Sequence, residues 1–291
     1  MPNAFNHALK AFAVDTNWND SSVAPIMPDL LVEPMTVAVS TITTIAVKTT
    51  TPATALYLTE TGDTTDVSIN DIHQGQIGDC YALSSIGEIA LKNPAFIKNM
   101  IKVNSDGTES VTLYTAANGK APGIGNTSYK AVPKQVTNTF AKNGVNNGAT
   151  QDVVNGTKEI WVQVLEKAFA MLNGGVSSSG AYTGIANGGS PIIAMEQLTG
   201  KAASYTTAAN LTLASLQAHV TANDLIVMDT KGSSGLPFNL VSGHAYMFQA
   251  IVGSGANAQI QLANPWGTNQ PSLIPFSKLS QGIAEIDFGH C

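Results

Sequence analysis

The sequence predicts an α+β fold, helical in its first half and β-rich in its second. Two observations carry this. The stretch EIWVQVLEKAFAML, residues 159–172, gathers Trp161, Val164, Leu165, Ala168, Phe169 and Leu172 on one helical face. From residue 223 on, the runs NDLIVMDT, GHAYMFQAIVG, AQIQLANPWG and AEIDFGH alternate with turns, as strands of a sheet do.

The chain divides into three parts. Residues 1–67 read as a separate N-terminal segment, a candidate pro-region or docking element. It has a Val/Ile/Thr-rich strand over residues 35–47 and a Thr-rich linker, KTTTPATA, after it. Residues 68–200 form the helical part. There YALSSIGEIAL has helical spacing, and Asn93-Pro94 stops that helix and opens a second, AFIKNMI, with Asn as cap and Pro in the first helical position. IKVNSDGTESVTLY follows as a hairpin about Ser105-Asp106-Gly107, then the helix over 159–172 and a Gly/Ser-rich stretch. Residues 201–291 form the β-rich part, and no internal repeat is present.

Composition narrows the function classes. The formal charge is -6 and all 14 basic residues are lysine, so a phosphate-reading surface would lack the arginine fork; nucleic acid is excluded as a partner. No apolar run approaches the roughly 20 residues that span a bilayer, and the N-terminus has no signal-peptide pattern. Cys80 and Cys291 make neither a disulfide framework nor a zinc cluster, so the compartment is not fixed: cytoplasmic, or secreted without a cleaved signal. An acidic, Arg-free, Thr/Asn-rich composition is associated with bacterial export of the second kind.

Cys80 stands where the glycine-rich loop of QGQIGDC meets a helix. Unpaired N–H groups and the dipole at a helix N-terminus favour thiolate over thiol, and thiolate is the nucleophile. The plain alternative is a small buried apolar residue. A nucleophile needs a base, and the base an orienting group. His7 and His219 lie in helix-like contexts, His290 at the chain end, and His73 on the loop before Cys80. His244 opens a strand, and Asn264 ends the next one. Two antiparallel strands joined by the turn about Gly253-Gly255 would set them side by side. The alternatives are a satisfied core histidine and, for Trp266 and Trp161, ordinary core packing.

These residues carry a resemblance. QGQIGDC followed by an aromatic, then EIWVQVLEKAFAMLNGG, NGGSPIIAMEQLTG, GHAY and NPWG, in this order over residues 68–291, resemble the calpain family of papain-like cysteine proteases. The resemblance implies a papain-like core of bacterial type in two lobes: a helical lobe bearing the cysteine and a β-rich lobe bearing the histidine and asparagine. It implies an endopeptidase acting through an acyl-thioenzyme on a protein or peptide substrate, without a cofactor. Cys80 would attack the carbonyl, His244 would take and return the proton, and Asn264 would hold the imidazole tautomer. Gln74 would donate to the oxyanion with the Cys80 N–H. Trp266 would cover the His244–Asn264 bond, and Gly189 and Gly243 would let the substrate backbone approach; turn geometry is the alternative for both glycines. An inactive peptide-binding homologue and an acyl-transferase or transpeptidase remain as rivals.

The sequence departs from the family pattern in two places. Tyr81 stands where tryptophan is usual in the animal enzymes, which keeps an aromatic plate. In calcium-regulated relatives acidic loops on both lobes bind the ion, whereas the loop after Gly267 here carries no Asp or Glu. No metal ligand set is therefore assigned; Asp71, Asp79 and Glu88 leave a site on the helical lobe open, and the lobes are expected to align by packing without calcium.

Overall fold

The computed structural model describes residues 53–60, 62–146, 153–176 and 180–291. The predicted strand over 35–47 and His7 lie outside these residues. The first described strand, β1 (Ala53–Ala55), already belongs to the helical lobe, since it runs parallel to β6 (Thr157–Glu159), which also pairs with β5 (Val153–Val154). Leu56 and Tyr57 pack against the core and Val67 lies wholly inside it.

The helical lobe is built on α1 (Cys80–Lys92), α2 (Pro94–Met100), α3 (Trp161–Leu172) and α4 (Pro191–Thr199). Residues 81–90 of α1 are all buried, the polar Ser84, Ser85 and Glu88 among them. Asn93 ends α1 and caps α2, its Oδ1 accepting from Phe96 N at 3.1 Å. The predicted hairpin is β2 (Ile101–Val103) with β3 (Glu109–Ala116), and its Gly107 has φ +80°. A third strand, β4 (Tyr129–Val136), joins β3 on the other side. It was not expected from the sequence; Pro133 lies within it, and β4 is an edge strand, where proline is tolerated. Glu159, expected in the helix, ends β6 instead.

The β-rich lobe is a six-stranded antiparallel sheet of order β11-β10-β9-β8-β12-β7. Its strands are β7 (Ser204–Thr207), β8 (Leu225–Thr230), β9 (Ala245–Val252), β10 (Gln259–Ala263), β11 (Ile274–Pro275) and β12 (Ile283–Gly289). Helix α5 (Leu213–Thr221) carries His219, and α6 (Leu279–Gly282) precedes the last strand. Alternation along β8 divides the core. Leu225 and Val227 join the apolar cluster of the helical lobe, while Ile226 and Met228 join a second cluster with Tyr246, Phe248 and Ile260.

α1 is pressed against this sheet. Ser84 Oγ donates to Ala245 O at 3.0 Å, and Glu88 Oε2 accepts from Ile226 N at 3.0 Å. A Cβ on Gly87 would collide with Met247 Sδ, so the helix comes this close to β9 only with glycine there. Among the described residues no helix is long and apolar enough to cross a membrane.

Candidate active site

Cys80 is the first residue of α1, held where the lobes meet. The loop before it is fastened on two sides. Gln74 N donates to Pro265 O of the β-rich lobe at 2.8 Å, and Gly78 pairs with the glycine-rich loop near Asn187, with Gly188 N to Gly78 O at 2.9 Å. Cys80 as a whole residue is partly exposed, while its thiol is buried and lies within hydrogen-bonding reach of the backbone of Ala245, the residue after His244.

The thiolate expected from the helix terminus is not the resting form. Burial pushes the Cys80 thiol up to about 12; the backbone contacts of Ala245 and Tyr81 oppose this, while the charges of Asp229 and Asp79 add to it. Loss of water around the sulfur outweighs those two backbone contacts. Asp79, the N-cap residue, makes no capping bond and is fully buried beside Glu166. Burial pushes Asp79 up to about 7 and raises Glu166 as well, so the two carboxyls hold a proton between them rather than two charges.

His244 and Asn264 meet as the two-strand argument requires. β9 and β10 are antiparallel with Met247 opposite Ala263, and His244 Nε2 lies 2.9 Å from Asn264 Oδ1. Both residues are buried. The same Oδ1 accepts from Trp266 N at 3.0 Å, and Asn264 Nδ2 donates to Asn269 O at 3.2 Å, so the amide's orientation is determined from both ends. With Oδ1 as acceptor, Nε2 carries the proton and Nδ1 is left with its lone pair. Burial lowers His244 to about 4, opposed by the Asn264 bond, so the imidazole is neutral at pH 7. Its ring lies 4.8 Å from that of Trp266 and edge-on to Tyr246 at 4.9 Å.

Thr230 was not foreseen. Its Oγ1 accepts from His244 N at 2.8 Å and donates to Val241 O at 2.7 Å, fixing the backbone from which the imidazole projects. One threonine in LIVMDT gives no signal of this in the sequence.

Gln74 lies beside the thiol loop, but both its amide hydrogens are engaged. Nε2 donates to Ile77 O at 2.7 Å and Asp79 Oδ1 at 3.2 Å, and Oε1 is buried without a partner. An oxyanion at Cys80 would reach this amide only after one of those bonds opens. Gly189 is required by packing: a Cβ there would enter the Tyr81 ring. Gly243 has φ +60°, a conformation that suits glycine, and its N donates to Lys231 O at 3.0 Å just ahead of His244. A cavity of about 480 Å³ opens on the far side of Asn264, between His73 and Gly267, but Cys80 and His244 do not line it.

Two carboxylate clusters flank this centre. Glu60, Asp71 and Glu159 bring oxygens within 4.8 Å of one another on the helical lobe, where Asp71 Oδ2 accepts from Trp161 Nε1 at 2.9 Å. Both oxygens of Glu60 are buried without hydrogen-bond partners, and burial pushes Asp71 up to about 7. With Glu60 lacking donors beside Asp71 and Glu159, this set of carboxylate oxygens fits a hard cation such as calcium, which prefers oxygen ligands. Of the acids named from the sequence only Asp71 takes part. Asp79 pairs with Glu166 and Gln74, and Glu88 with Ile226. The second cluster is Asp229, Glu285 and Asp287 on the β-rich lobe.

The family model of the calpain family cysteine proteases matches residues 59–272, a span that contains Gln74, Cys80, Gly189, Gly243, His244, Asn264 and Trp266.

The chain belongs to the calpain family of cysteine proteases.

Membership carries cysteine peptidase chemistry and, with it, protein substrates. The match begins at residue 59, within the stretch that the structure ties to the helical lobe. Comparison with individual curated proteins finds no match.

Proposed function

We propose that this calpain-family protein is an endopeptidase that cleaves internal peptide bonds through an acyl-thioenzyme, with Cys80 as nucleophile and His244 as base. The observation that carries the reading is the buried His244–Asn264 bond at 2.9 Å beside Trp266, with the Cys80 thiol against the next residue, Ala245. A neutral imidazole whose Nε2–H is held by Asn264 has one free function, to accept a proton at Nδ1.

The steps follow from that. The Cys80 S–H proton passes to His244 Nδ1 as sulfur bonds the scissile carbonyl carbon. Each buried charge then offsets the burial of the other, which overcomes the reluctance of the isolated thiol to ionise. The oxyanion forms beside the Cys80 N–H, one of the unpaired donors at the start of α1. Gln74 supplies a second donor if its Nε2 turns from Ile77 or Asp79. The C–N bond breaks, and the proton on His244 goes to the leaving amine. Water then attacks the thioester carbonyl, gives a proton to His244, and the C–S bond breaks as that proton returns to sulfur. Trp266 shields the His244–Asn264 bond from water, and Gly243 keeps the approach to His244 clear of a side chain.

Glu60, Asp71 and Glu159 would hold a calcium ion; bound there, it supplies positive charge that joins the segment before Cys80 to β6, and no chemical step passes through it. Incubating the protein with casein and a tagged primary amine tests the function. Cleavage without tagging is expected. Tagging in place of cleavage would identify an acyl-transferase, and neither outcome would identify a peptide-binding homologue.

A further inference from the structure

Behind the nucleophile, two acids from different elements meet in the core. Asp79, the residue before Cys80, is 0% exposed, and Glu166 of α3 is buried beside it. Asp79 Oδ1 accepts from Gln74 Nε2 at 3.2 Å, and Glu166 Oε1 accepts from Val145 N at 2.8 Å. The second oxygen of each, Asp79 Oδ2 and Glu166 Oε2, is buried without a donor. The two carboxyls lie within hydrogen-bonding reach of each other, and a single proton between them satisfies both.

The loop that bears Gln74 is packed against the loop that covers Glu166. Gln76 N donates to Asn143 O at 2.8 Å. A Cβ on Gly75 would strike the carbonyls of Asn143 and Gly144, and a Cβ on Gly144 would strike the Glu166 carboxylate. Glycine at both positions lets the loops close over the pair.

The groups that face these acids are neutral at pH 7. Cys80 and Tyr81 of α1 feel the charge of Asp79, and Tyr182, whose hydroxyl accepts from Ala141 N at 3.2 Å, feels both acids. Among the described residues no lysine or histidine forms an ion pair with Asp79 or Glu166. Lys167, next to Glu166 in sequence, donates instead to the carbonyls of Thr137 and Thr139. Two buried charges side by side without a cation are strongly disfavoured. Burial raises both acids, while the bond between them lowers Asp79 and raises Glu166. At rest the proton therefore lies with Glu166 and the charge with Asp79.

That charge holds Gln74. A hydrogen bond to an ionised acceptor is roughly twice as strong as one to a neutral acceptor. The Asp79 bond is the longer of the two that Nε2 makes, and Gln74 Oε1 has no donor to hold the amide from its other side. We propose that Glu166 is a positioning residue for the oxyanion donor: the proton it shares with Asp79 allows Asp79 to release the Gln74 amide as the oxyanion forms beside Cys80. The inference rests on the peptidase reading above. As Nε2–H turns from Asp79 Oδ1 to the oxyanion, Asp79 becomes the better base, and the shared proton passes from Glu166 Oε2 to Asp79 Oδ2. The charge left on Glu166 is met by Val145 N–H. When the tetrahedral intermediate collapses, the proton returns to Glu166 and Asp79 takes the amide back. No proton leaves the pair.

Glu166→Gln in the full chain keeps the shape and the acceptor for Val145 but has no proton to pass, so Asp79 stays charged. Hydrolysis of a fluorogenic peptide at about pH 8 should lose about 10-fold in kcat, with KM within about threefold. In the Gln74→Ala background the same substitution should cost less than about threefold, because the amide it acts through is gone. The pH profile is the second readout. Wild-type kcat should fall at alkaline pH, where the pair loses its last proton. The fall should begin about one pH unit lower in Glu166→Gln, where Asp79 alone holds a proton. A purely structural Glu166 would lower the melting temperature and move neither the coupling nor the profile. Asp79→Asn offers a neutral acceptor at every pH and should abolish the alkaline fall; this variant decides the matter if Glu166→Gln does not fold. Additive losses in the double variant, an unmoved profile, or an alkaline fall that Asp79→Asn retains each overturns the proposal. If the wild-type chain cleaves no peptide, the peptidase reading fails separately, and binding of a peptide aldehyde decides the positioning role. Attack of the Cys80 sulfur on that carbonyl places the same oxyanion beside the helix terminus. Binding weakened about tenfold by Glu166→Gln supports the role; equal binding, or no adduct in either protein, sinks it.

Discussion

Replacing Asn264 by alanine tests whether the orientation of His244 matters as the geometry indicates. The substitution removes an oxygen that is the acceptor for both His244 Nε2–H at 2.9 Å and Trp266 N–H at 3.0 Å, in a residue only 1% exposed. Water is excluded there by the Trp266 and Tyr246 rings, so neither donor finds a replacement easily. Each orphaned donor costs about 1–3 kcal/mol. The cost at Trp266 falls on folding alone. The cost at His244 falls also on the reaction, because the imidazole becomes free to carry its proton on Nδ1, where it cannot serve as base toward Cys80. A loss of about 1.4–2.8 kcal/mol in the transition state lowers kcat/KM by about 10- to 100-fold. Steady-state hydrolysis of one good peptide, with circular dichroism to confirm folding, measures it. Asn264→Asp keeps an acceptor at the same place and should recover a large part of the loss. If Asn264→Ala stays within threefold of the wild type, or Asn264→Asp is as impaired as the alanine variant, the orienting role is wrong.

Gln74→Ala should lower kcat by about 10²–10³ if the amide turns to the oxyanion. A fall in melting temperature with kcat preserved would show that its bonds to Ile77 and Asp79 are its whole purpose. In the absence of a bound cation, stability should decline as pH rises. Asp71 and Asp79 (to about 7) and Glu88 and Asp229 (to about 8) are raised, so their protonated forms favour the fold below pH 4 and this contribution is lost through pH 7–8; His73 and His244 are lowered and act in the opposite sense, losing stability as pH falls below about 6.5. The carboxyls prevail in number, and the melting temperature should be at least about 3 °C higher at pH 5 than at pH 8.5. Millimolar calcium should narrow that gap through Glu60, Asp71 and Glu159, while peptide hydrolysis should survive chelation; activity lost to chelator and restored by calcium contradicts the second part. A chain beginning at residue 53 should fold and cleave, whereas one beginning at residue 68 loses the β1–β6 pairing and the fully buried Val67, worth about 1.5–3 kcal/mol by itself, and should melt lower.

What could be read from the sequence was local or one turn away. The cap and proline of Asn93-Pro94, the Gly107 hairpin and the apolar face of residues 161–172 are set by neighbours along the chain. The meeting of His244 and Asn264 needed only one antiparallel turn between adjacent strands. What depends on distant register stayed hidden: Asp229 faces Glu285 because β8 pairs with β12, and Glu159 reaches Glu60 and Asp71 through β6. The resting protonation of the thiol depends on distant packing in the same way. The helix terminus is visible in the sequence, but the loss of water that pushes the Cys80 thiol up to about 12 comes from the second lobe folding over it. Gly189 was singled out for its missing Cβ, and the neighbour that would meet a Cβ there, the Tyr81 ring, is 108 positions away in the chain.

The central claim is that Cys80 forms a covalent bond to the substrate carbonyl with His244 as its base. Acid-quenched intact mass spectrometry during turnover of a peptide nitrophenyl ester tests it most directly. The account predicts one acyl group per chain, mapped to Cys80, in the wild type, and its absence in His244→Ala at the same time point. Peptide cleavage with no adduct at Cys80, or an adduct there undiminished by His244→Ala, would contradict it.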